Sequence, residues 1–437
     1  MNKTNILWLR KNLRMHDNPT LLHASNHSEK LVCVFIYDEV IHYKQHGVDS
    51  LGPYRAKFLW ESLSSLKKSL QAVGNDLLIL QGDAVEILKS LHEEVNAATI
   101  FTQTECGQCE QEQEQAVSQF CNLETINITT LLNCDQLPFS KETLPNNFIV
   151  FRRLIEQQWE AQKSMVSKCC ETPKTLPPVP DTLKTQSLSV NPASESKPQS
   201  AKASFLFKGD EQSGLDRVEQ FIWNGTGLEN YRDTCNQLLG ADYSSKLSPW
   251  IANGSVSVRY VYHEIRRFEQ ERIENDSTRW AVCELLWRDF FHFNALKHGS
   301  SIFSKGGIQS NSCSKKSIDI DQCHLVQNWC KGETGNRFVD AIMKELLETG
   351  YLSNRGRQSI SAYFVKEMGS DWRLGASWFE HLLIDFEPCN NYGNWNFQSG
   401  IGHDVKKLAN FSIDQEAQRY DPQQAYQNYW LGDHSEA

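Results

Sequence analysis

The sequence predicts an α/β half and an all-α half, joined by a long linker. Three observations support this fold class. Short apolar runs alternate with helical stretches in the first third of the chain, a proline-rich segment follows, and the remainder shows only helical periodicity. Alternating strand and helix patterns are typical of a parallel sheet with helices on both faces. We therefore expect an N-terminal Rossmann-like domain, a linker and a C-terminal all-helical domain.

The strands of the predicted sheet are five short apolar or β-branched runs, several of them buried on both faces. These runs are residues 6–10, 31–37, 76–80, 98–102 and 125–129. Helical stretches at 53–73, 84–94 and 110–120 lie between them. The sequence contains neither GxGxxG nor GxxxxGK[ST], so the usual dinucleotide and P-loop sites lack support.

The texture of the chain changes at about residue 165. Six of the thirteen prolines fall between Pro173 and Pro198, among Ser, Thr, Lys and Gln, which is typical of an extended linker. Helical patterns then cover 214–223, 258–274, 279–298, 337–349, 357–366 and 375–383. The predicted organisation is therefore an α/β domain at 1–135, a linker at 136–204 and a helical domain at 205–437.

Charge and cysteine content argue against several classes of protein. The 44 Lys and Arg against 54 Asp and Glu give a net charge of −10, which disfavours strong sequence-independent binding of nucleic acid. Thirteen scattered cysteines fit a reducing compartment, and the CxxC of Cys106 and Cys109 lacks a second pair at zinc spacing. We find no membrane span and no signal peptide. We therefore expect a cytoplasmic, monomeric protein without a metal or a membrane partner.

The run CELLWRDFFHF at 283–293 is apolar but carries charges. Helical spacing places Glu284, Trp287 and Arg288 on one aromatic face, although a buried charge is costly unless something pairs with it or uses it. An ion pair between Glu284 and Arg288, one turn apart, would explain these charges. A carboxyl group set into a ligand pocket is the alternative, and the residues alone do not separate the two.

Three other segments leave two interpretations open. YSSKLS at 243–248 puts three serine hydroxyls and a lysine before a helix, which suits either a helix cap or a diphosphate. In SNRGRQ at 353–358, Gly356 permits a close backbone approach at the start of either a capped helix or a ligand site. Asn391 in NYGNW is typical of a turn but can also serve a ligand.

Seven ordered stretches of the chain resemble the photolyase/cryptochrome family. They are LWLRKNLRMHDNPTL, GADYSSKLSPWIANG, ELLWRDFF, TGNRFVDAIMKEL, SNRGRQ, DWRLGASWFE and NYGNW. SNRGRQ and NYGNW are similar to the cryptochrome-DASH branch in particular. The resemblance implies a photolyase-type antenna domain followed by a helical FAD-binding domain. It further implies light-driven repair of cyclobutane pyrimidine dimers by a deoxyribodipyrimidine photo-lyase, mainly in single-stranded or locally opened DNA.

The resemblance also implies a set of residues that contact FAD. The implied contacts are Tyr231, Ser244, Ser245, Lys246, Leu247 and Ser248 around the pyrophosphate, and Arg288, Asn354, Arg357, Asp385, Glu387 and Asn391 toward the flavin and ribose. Arg357 would pair with Asp385, and its cation would favour a reduced, anionic flavin. Asn391 would face the flavin N5. Glu387 is a departure, because the family more often has Asp at that position.

The implied substrate pocket lies above the flavin. Glu284 would hydrogen-bond to the flipped dimer, Trp287 would stack on it, and Phe397 would form the opposing wall, with Gln358 where other DNA photolyases often have Met. Burial would keep Glu284 partly protonated. An unstacked lesion costs less to extrude than a paired base. Excited reduced FAD would lend the dimer one electron, with Glu284 and Asn391 in stabilising and tuning roles.

The resemblance implies an electron route for reducing the flavin. Trp395 would be next to the flavin and Trp372 would follow it. The surface tryptophan expected about ten residues before Trp329 is missing from the stretch KKSIDIDQCHLVQNW. Either Trp378 substitutes for it or photoreduction is slow.

A second chromophore and other functions also follow from the resemblance. Members of this branch commonly hold a folate between the domains, so 5,10-methenyltetrahydrofolate is a candidate antenna and Glu105 a candidate contact. A solvated glutamate at a strand end is the alternative for Glu105. Alternative functions are a blue-light photoreceptor that binds FAD and nucleic acid without turnover, or a flavin electron-transfer protein.

Overall fold

A computed structural model describes residues 3–38, 44–162, 166–183, 197–309, 320, 323–403 and 411–432 of the chain. An N-terminal domain built on a parallel sheet is followed by a helical domain, which confirms the predicted fold class. Within these ranges, none of the helices combines the length and the apolar character that crossing a bilayer requires.

The N-terminal domain is built on a five-stranded sheet. The strands of the chain are β1 (Thr4–Leu9), β2 (Lys30–Asp38), β3 (Lys44–Gln45), β4 (Val48–Asp49), β5 (Leu77–Gly82), β6 (Thr99–Gln103) and β7 (Asn122–Ile126). The sheet has the order β5-β2-β1-β6-β7 with every pair parallel, while β3 and β4 form a separate hairpin that the sequence did not reveal. β1 is buried along its whole length, which explains its continuous apolar run.

Four helices pack around the sheet. They are α1 (Pro19–Asn26), α2 (Pro53–Ala72), α3 (Ala84–Val95) and α4 (Gln108–Val117). The carboxyl ends of parallel strands meet at one edge, where ligands bind in open α/β sheets. Arg10 and Lys11 follow β1 at this edge and Glu105 follows β6, so three polar side chains from separate parts of the chain come together there.

The segment 136–204, predicted as a linker, contains the helix α5 (Phe148–Gln162). Phe148, Phe151 and Ile155 lie on one face of α5 and are buried in the core of the helical domain. The predicted linker segment therefore includes a helix that packs in the core of the helical domain, and the proline-rich stretch predicted to be extended begins after this helix. Its apolar residues recur at helical spacing and stabilise a helix by burial against a neighbouring domain.

The helical domain is formed by twelve helices in the described residues. They are α6 (Glu211–Ile222), α7 (Tyr231–Thr234), α8 (Ser248–Asn253), α9 (Val258–Glu271), α10 (Asp276–His298), α11 (His324–Lys331), α12 (Arg337–Thr349), α13 (Asn354–Ala362), α14 (Trp372–Leu382), α15 (Pro388–Gln398), α16 (Ile413–Tyr420) and α17 (Ala425–Leu431). α10 and α15 cross near the middle of the domain, and α15 also packs on α14. These three helices carry seven of the predicted site residues, namely Glu284, Trp287, Arg288, Trp372, Asn391, Trp395 and Phe397.

Candidate functional site

A cavity opens beside α13, α14 and α15, and we call it the helical cavity. It encloses about 550 Å³, part of it open to solvent, which is within the usual range for small-molecule sites. Its lining residues are Asn354, Arg357, Gln358, Ser361, Phe379, Leu383, Asp385, Phe386, Glu387, Asn390, Asn391, Asn394, Trp395 and Gln398. Half of these lining residues are predicted site residues, and the structure brings Asn354 and Arg357 of α13, Asn391 of α15, and Asp385 and Glu387 from the segment before α15 to one cavity.

Arg357 and Asp385 form an ion pair at the wall of the helical cavity. Nη2 of Arg357 lies 2.7 Å from Oδ2 of Asp385, and its Nε donates to the carbonyl of Leu352 at 3.1 Å. Burial disfavours the charge of Arg357, but Asp385 outweighs it and raises the pKa of the guanidinium above its ordinary value. The buried Oδ1 of Asp385 has no hydrogen-bond donor among the described residues. The pair can therefore offer a ligand both a fixed cation and an unused acceptor.

Glu387 and Asn391 are held in place at the start of α15. Glu387 caps the helix, accepting hydrogen bonds from the backbone and side-chain nitrogens of Asn390 at 2.9 Å. Burial alone would raise the pKa of Glu387, but His292, Lys11 and further groups lower it to about 2. Asn391 donates from Nδ2 to the carbonyl of Ala376 at 3.1 Å. Both side chains thus line the cavity in defined orientations.

Arg217 forms hydrogen bonds with the backbone of the loop that is predicted to bind a diphosphate. Its Nε donates to the carbonyl of Ser245 at 2.8 Å, and its Nη2 donates to the carbonyl of Ser244 at 3.0 Å. Lys246 has a φ of +54° and is buried, with its Nζ 3.8 Å from the ring centroid of Tyr243. Burial lowers the pKa of Lys246, although the nearby charge of Glu345 opposes the shift, and a bound anion would favour the charged form of Lys246.

Tyr351 connects this loop to the helical cavity. Its ring centroid lies 5.0 Å from Nζ of Lys246 in the loop and 5.4 Å from the guanidinium carbon of Arg357 at the cavity. Leu247 of the same loop is buried, whereas Ser248 is exposed at the start of α8. The loop and the cavity are therefore adjacent, as a single extended ligand would require. Sequence reasoning missed Tyr351, because nothing in its local pattern marks it.

Glu284 is a half-buried carboxyl group on α10. Burial raises its pKa to about 7, and among the described residues only a hydrogen bond with Trp280 opposes the shift. Tyr231 lies on α7, which packs on α10. Burial, and after it the charge of Glu284, raise the pKa of its phenol. With a pKa of about 7, the carboxyl group of Glu284 carries its proton in part of the molecules at neutral pH.

The other two charges of the run at 283–293, Arg288 and Asp289, belong to the contact between the domains. Arg288 donates from Nη1 to the carbonyl of Thr129 at 2.5 Å, so the ion pair with Glu284 is not formed. Asp289 is fully buried and accepts from the backbone nitrogens of Leu131 and Leu132 at 2.9 and 2.8 Å. Glu284 alone thus remains without a structural partner of opposite charge, while the contact of Arg288 with a flavin stays a prediction.

Trp287 is supported by a buried phenylalanine from α5. The rings of Trp287 and Phe148 stack with centroids 3.6 Å apart and planes at 12°. Trp287 itself is only half-buried, and so is Phe397 on α15. Phe148 therefore covers one face of the Trp287 ring. The stacking of Trp287 on a substrate, with Phe397 opposite, stays a prediction.

The predicted electron-route tryptophans lie on α14 and α15. Trp395 lines the helical cavity and is 1 % exposed, and its ring lies 6.5 Å from that of Trp329. Trp372 is also buried and donates from Nε1 to the carbonyl of Lys305 at 3.1 Å. Trp378 is half-buried and stacks on His381. Residues 315–319, 321 and 322 of the stretch that lacks the surface tryptophan lie outside the described residues.

A second cavity lies between the two domains, and we call it the interdomain cavity. It encloses about 1060 Å³, part of it open to solvent. Its lining residues include Trp8, Arg10, Lys11, Phe35, Asp38, Arg55, Glu105, Glu110, Gln113, Glu380 and Phe386. Glu105 is 1 % exposed and accepts from Nζ of Lys11 at 3.2 Å, so the alternative of a solvated strand-end glutamate is wrong.

One group of metal-ligating side chains occurs in the described residues. His292, Glu387 and Cys389 have ligand atoms within 4.8 Å of one another. Lys11 has its Nζ 3.8 Å from Oε1 of Glu387, and Asn390 already supplies two hydrogen bonds to Oε2. The carboxylate is therefore engaged with donors and a cation, and the group gives no support for a metal.

Two family models match the chain. The model for the FAD binding domain of DNA photolyase matches residues 280–436, and that for DNA photolyase matches residues 5–174. The chain is thus a flavoprotein of the photolyase and cryptochrome class.

The Cryptochrome DASH of Synechocystis sp. is 39 % identical over 437 residues, which covers 98 % of this chain and 87 % of that protein. The Cryptochrome DASH of Xenopus laevis is 36 % identical and covers 98 % and 82 %.

A solved structure agrees with these relatives. The crystal structure of the Synechocystis sp. cryptochrome matches with a TM-score of 0.91 at 38 % identity, over 98 % of this chain and 88 % of that one. The chain belongs to the photolyase/cryptochrome family, in its cryptochrome-DASH branch. It carries the family's FAD-binding domain, and the helical cavity fits that cofactor, because Asp385 and Arg357 leave an unused buried acceptor beside a fixed cation.

Proposed function

We propose that this protein is a deoxyribodipyrimidine photo-lyase, which uses blue or near-UV light to repair cyclobutane pyrimidine dimers in DNA. The observation that carries the proposal is Glu284, a half-buried carboxyl group without a structural cation, on the helix that also bears Trp287. A carboxyl group with a pKa of about 7 can donate a hydrogen bond at neutral pH. The base carbonyl groups of a pyrimidine dimer are suitable acceptors for it.

The residues divide into a substrate group and a cofactor group. Glu284 donates to a carbonyl of the dimer, and this hydrogen bond strengthens as the dimer gains negative charge. Trp287, held by Phe148, offers an aromatic surface to the dimer. Arg357, paired with Asp385, and the fixed amide of Asn391 orient the cofactor and tune its environment. FAD, when bound, supplies the light-driven electron.

The charge of the chain bears on the form of DNA that is repaired. A protein with a net charge of −10 gains little from the phosphate backbone of an unbroken duplex. A dimer in a single strand or a local opening needs less energy to leave the stack than one inside a duplex. The expected substrate is therefore a lesion in single-stranded or locally opened DNA, bound by a monomer.

Irradiating the dithionite-reduced protein with oligo(dT) that contains dimers tests this proposal. We expect thymine absorbance to recover, faster for the single strand than for the same lesion in a duplex. Samples kept in the dark and samples with undamaged oligo(dT) serve as controls. A protein that retains FAD and changes its own absorbance in light, without restoring thymine on single strands, would be a photoreceptor, and the repair proposal would be wrong.

We also propose that the interdomain cavity holds a folate antenna, 5,10-methenyltetrahydrofolate. The cavity combines aromatic walls with buried carboxylates such as Glu105 and Glu110, and the cation of Lys11 lies between them. Carboxylates are suitable acceptors for the amino and ring N–H groups of a pterin. Energy transfer to the neighbouring helical cavity would then extend the range of usable light.

Glu105→Gln should lower the folate content of the purified protein without changing its FAD content. Losing one charge-assisted hydrogen bond costs roughly 1.5–3 kcal/mol, so folate affinity should fall about tenfold or more. Mass spectrometry of the released chromophores measures both contents. The exposed Glu112 on α4 provides the control variant Glu112→Gln, which should bind as the wild type does. Equal folate contents in the two variants would exclude Glu105 as a contact.

A further inference from the structure

Tyr392 is a buried neighbour of Trp372, the second tryptophan of the predicted electron route. Its ring contacts that of Trp372, with centroids 6.1 Å apart and planes at 79°. It also lies one turn before Trp395 on α15. On α14, Gly375 follows Trp372 by one turn and packs so closely on Trp395 that a Cβ there would lie 2.2 Å from Cη2 of the indole. Trp395 therefore packs against α14 one turn from Trp372, and Tyr392 contacts Trp372 directly.

The phenol of Tyr392 is bonded to a base. Its hydroxyl group donates to Oε2 of Glu380 at 2.9 Å, with Oε1 of Gln45 at 3.2 Å on the same hydroxyl group. Burial raises the pKa of Glu380, although Arg55 opposes the shift, and the carboxylate is accordingly a stronger base than usual. Glu380 also lines the interdomain cavity, which gives a proton a way out of the protein.

Other indoles near the route lack such a partner. The buried Nε1 atoms of Trp395, Trp329 and Trp378 have no hydrogen-bond acceptor among the described residues. Trp372 donates to the backbone carbonyl of Lys305, which is too weak a base to take a proton. An oxidised ring is stabilised when its proton leaves with the electron. Among the aromatic side chains named here, Tyr392 is the one whose hydrogen bond goes to a carboxylate that can accept its proton.

We infer that Tyr392 is the terminal electron donor of this route and that Glu380 accepts its phenolic proton; the inference rests on the proposed light-driven use of FAD. Trp395 loses one electron to the excited flavin and regains one from Trp372. Tyr392 then gives one electron to Trp372, its O–H bond breaks, and the proton moves to Oε2 of Glu380, leaving a neutral tyrosyl radical. Because Tyr392 is 3 % exposed, a thiolate that enters the interdomain cavity beside Glu380 returns the electron, Glu380 returns the proton, and two thiyl radicals combine as a disulfide.

Electron paramagnetic resonance of the illuminated, frozen holoprotein tests this inference. Without thiol, the wild type should show a neutral tyrosyl radical whose spectrum narrows when the protein contains ring-deuterated tyrosine. Tyr392→Phe should lack the signal. Glu380→Gln keeps an acceptor for the phenol but not a base, so photoreduction in the presence of a thiol should slow by about a hundredfold.

Trp378→Phe is the matched control, because it removes the competing donor and should change neither the radical nor the rate. FAD content and melting temperature show whether each variant folds. A tyrosyl signal that persists in Tyr392→Phe, or a wild type without one, would overturn the inference. So would loss of photoreduction in Trp378→Phe. Repair by dithionite-reduced wild type bypasses the route, so a failure there concerns the proposed function and leaves Tyr392 as the donor.

Discussion

Glu284→Ala should remove most of the dimer repair while the protein keeps its FAD. The carboxyl group lies on α10, outside the lining of the helical cavity, and no described cation depends on it. A hydrogen bond to a group that becomes charged contributes roughly 1.5–3 kcal/mol, so the repair rate should fall about tenfold or more. Recovery of thymine absorbance in oligo(dT) measures repair, and flavin absorbance after denaturation measures FAD.

The dependence of the repair rate on pH shows whether Glu284 acts through its carboxyl proton or only through the shape of its side chain. The pKa of Glu284 in the folded protein is about 7, above its ordinary value of 4.5, so the carboxyl group is a donor below pH 7 and loses that role above it. Wild-type repair should therefore decline as the pH rises through about 7. Glu284→Gln, which always has a donor, should not show this decline. The exposed Glu274 gives the control Glu274→Ala, and release of FAD by Glu284→Ala alone would contradict the division between substrate and cofactor residues.

The sheet and the long helices were predictable because burial leaves a periodic signal. Strands buried on both faces give continuous apolar runs, and α12 coincides with the predicted 337–349. α15 gives no such signal, since Asn391 and Gly393 are poor helix formers. Instead, the side chain of Glu387 caps the start of α15. Gly393 allows α15 to pack closely on Phe291, because a Cβ at this position would lie 2.3 Å from the ring. Tertiary contacts therefore stabilise a helix in a segment whose residue propensities favour a turn.

The candidate site was predictable where short motifs contribute several residues at once. Asn354, Arg357 and Gln358 come from one motif and reach one cavity. Phe148, by contrast, supports Trp287 from a segment predicted as linker, and no local pattern links positions so far apart.

Arg288 shows a different limit of sequence reasoning. Helical spacing puts it on the face of Glu284, but its long side chain extends to Thr129 of the other domain. Periodicity identifies the face of a helix but does not say which partner a flexible side chain meets.

Arg357→Ala should cause the largest loss of FAD. Its guanidinium is one of the groups that line the helical cavity, and its removal leaves Asp385 buried without a counter-charge. Breaking a buried pair from one side destabilises the fold by roughly 3–5 kcal/mol. Losing a charged hydrogen bond to the cofactor costs roughly 1.5–3 kcal/mol, so FAD affinity should fall about tenfold or more. Fluorescence titration of the apoprotein with FAD measures the affinity. Arg355→Ala is the matched control, because Arg355 lies on the same helix but bonds to Asn236 at the surface.

The double variant Arg357→Ala/Asp385→Asn separates the cofactor role of the arginine from its structural role. Asn at 385 is neutral, so the buried charge that destabilises Arg357→Ala is gone and the melting temperature of the apoprotein should recover. FAD affinity should stay low, because neither the cation nor the anionic acceptor remains in the cavity. Recovery of FAD affinity together with stability would mean that Arg357 acts only on the fold. The flavin would then have to lie elsewhere than against this pair.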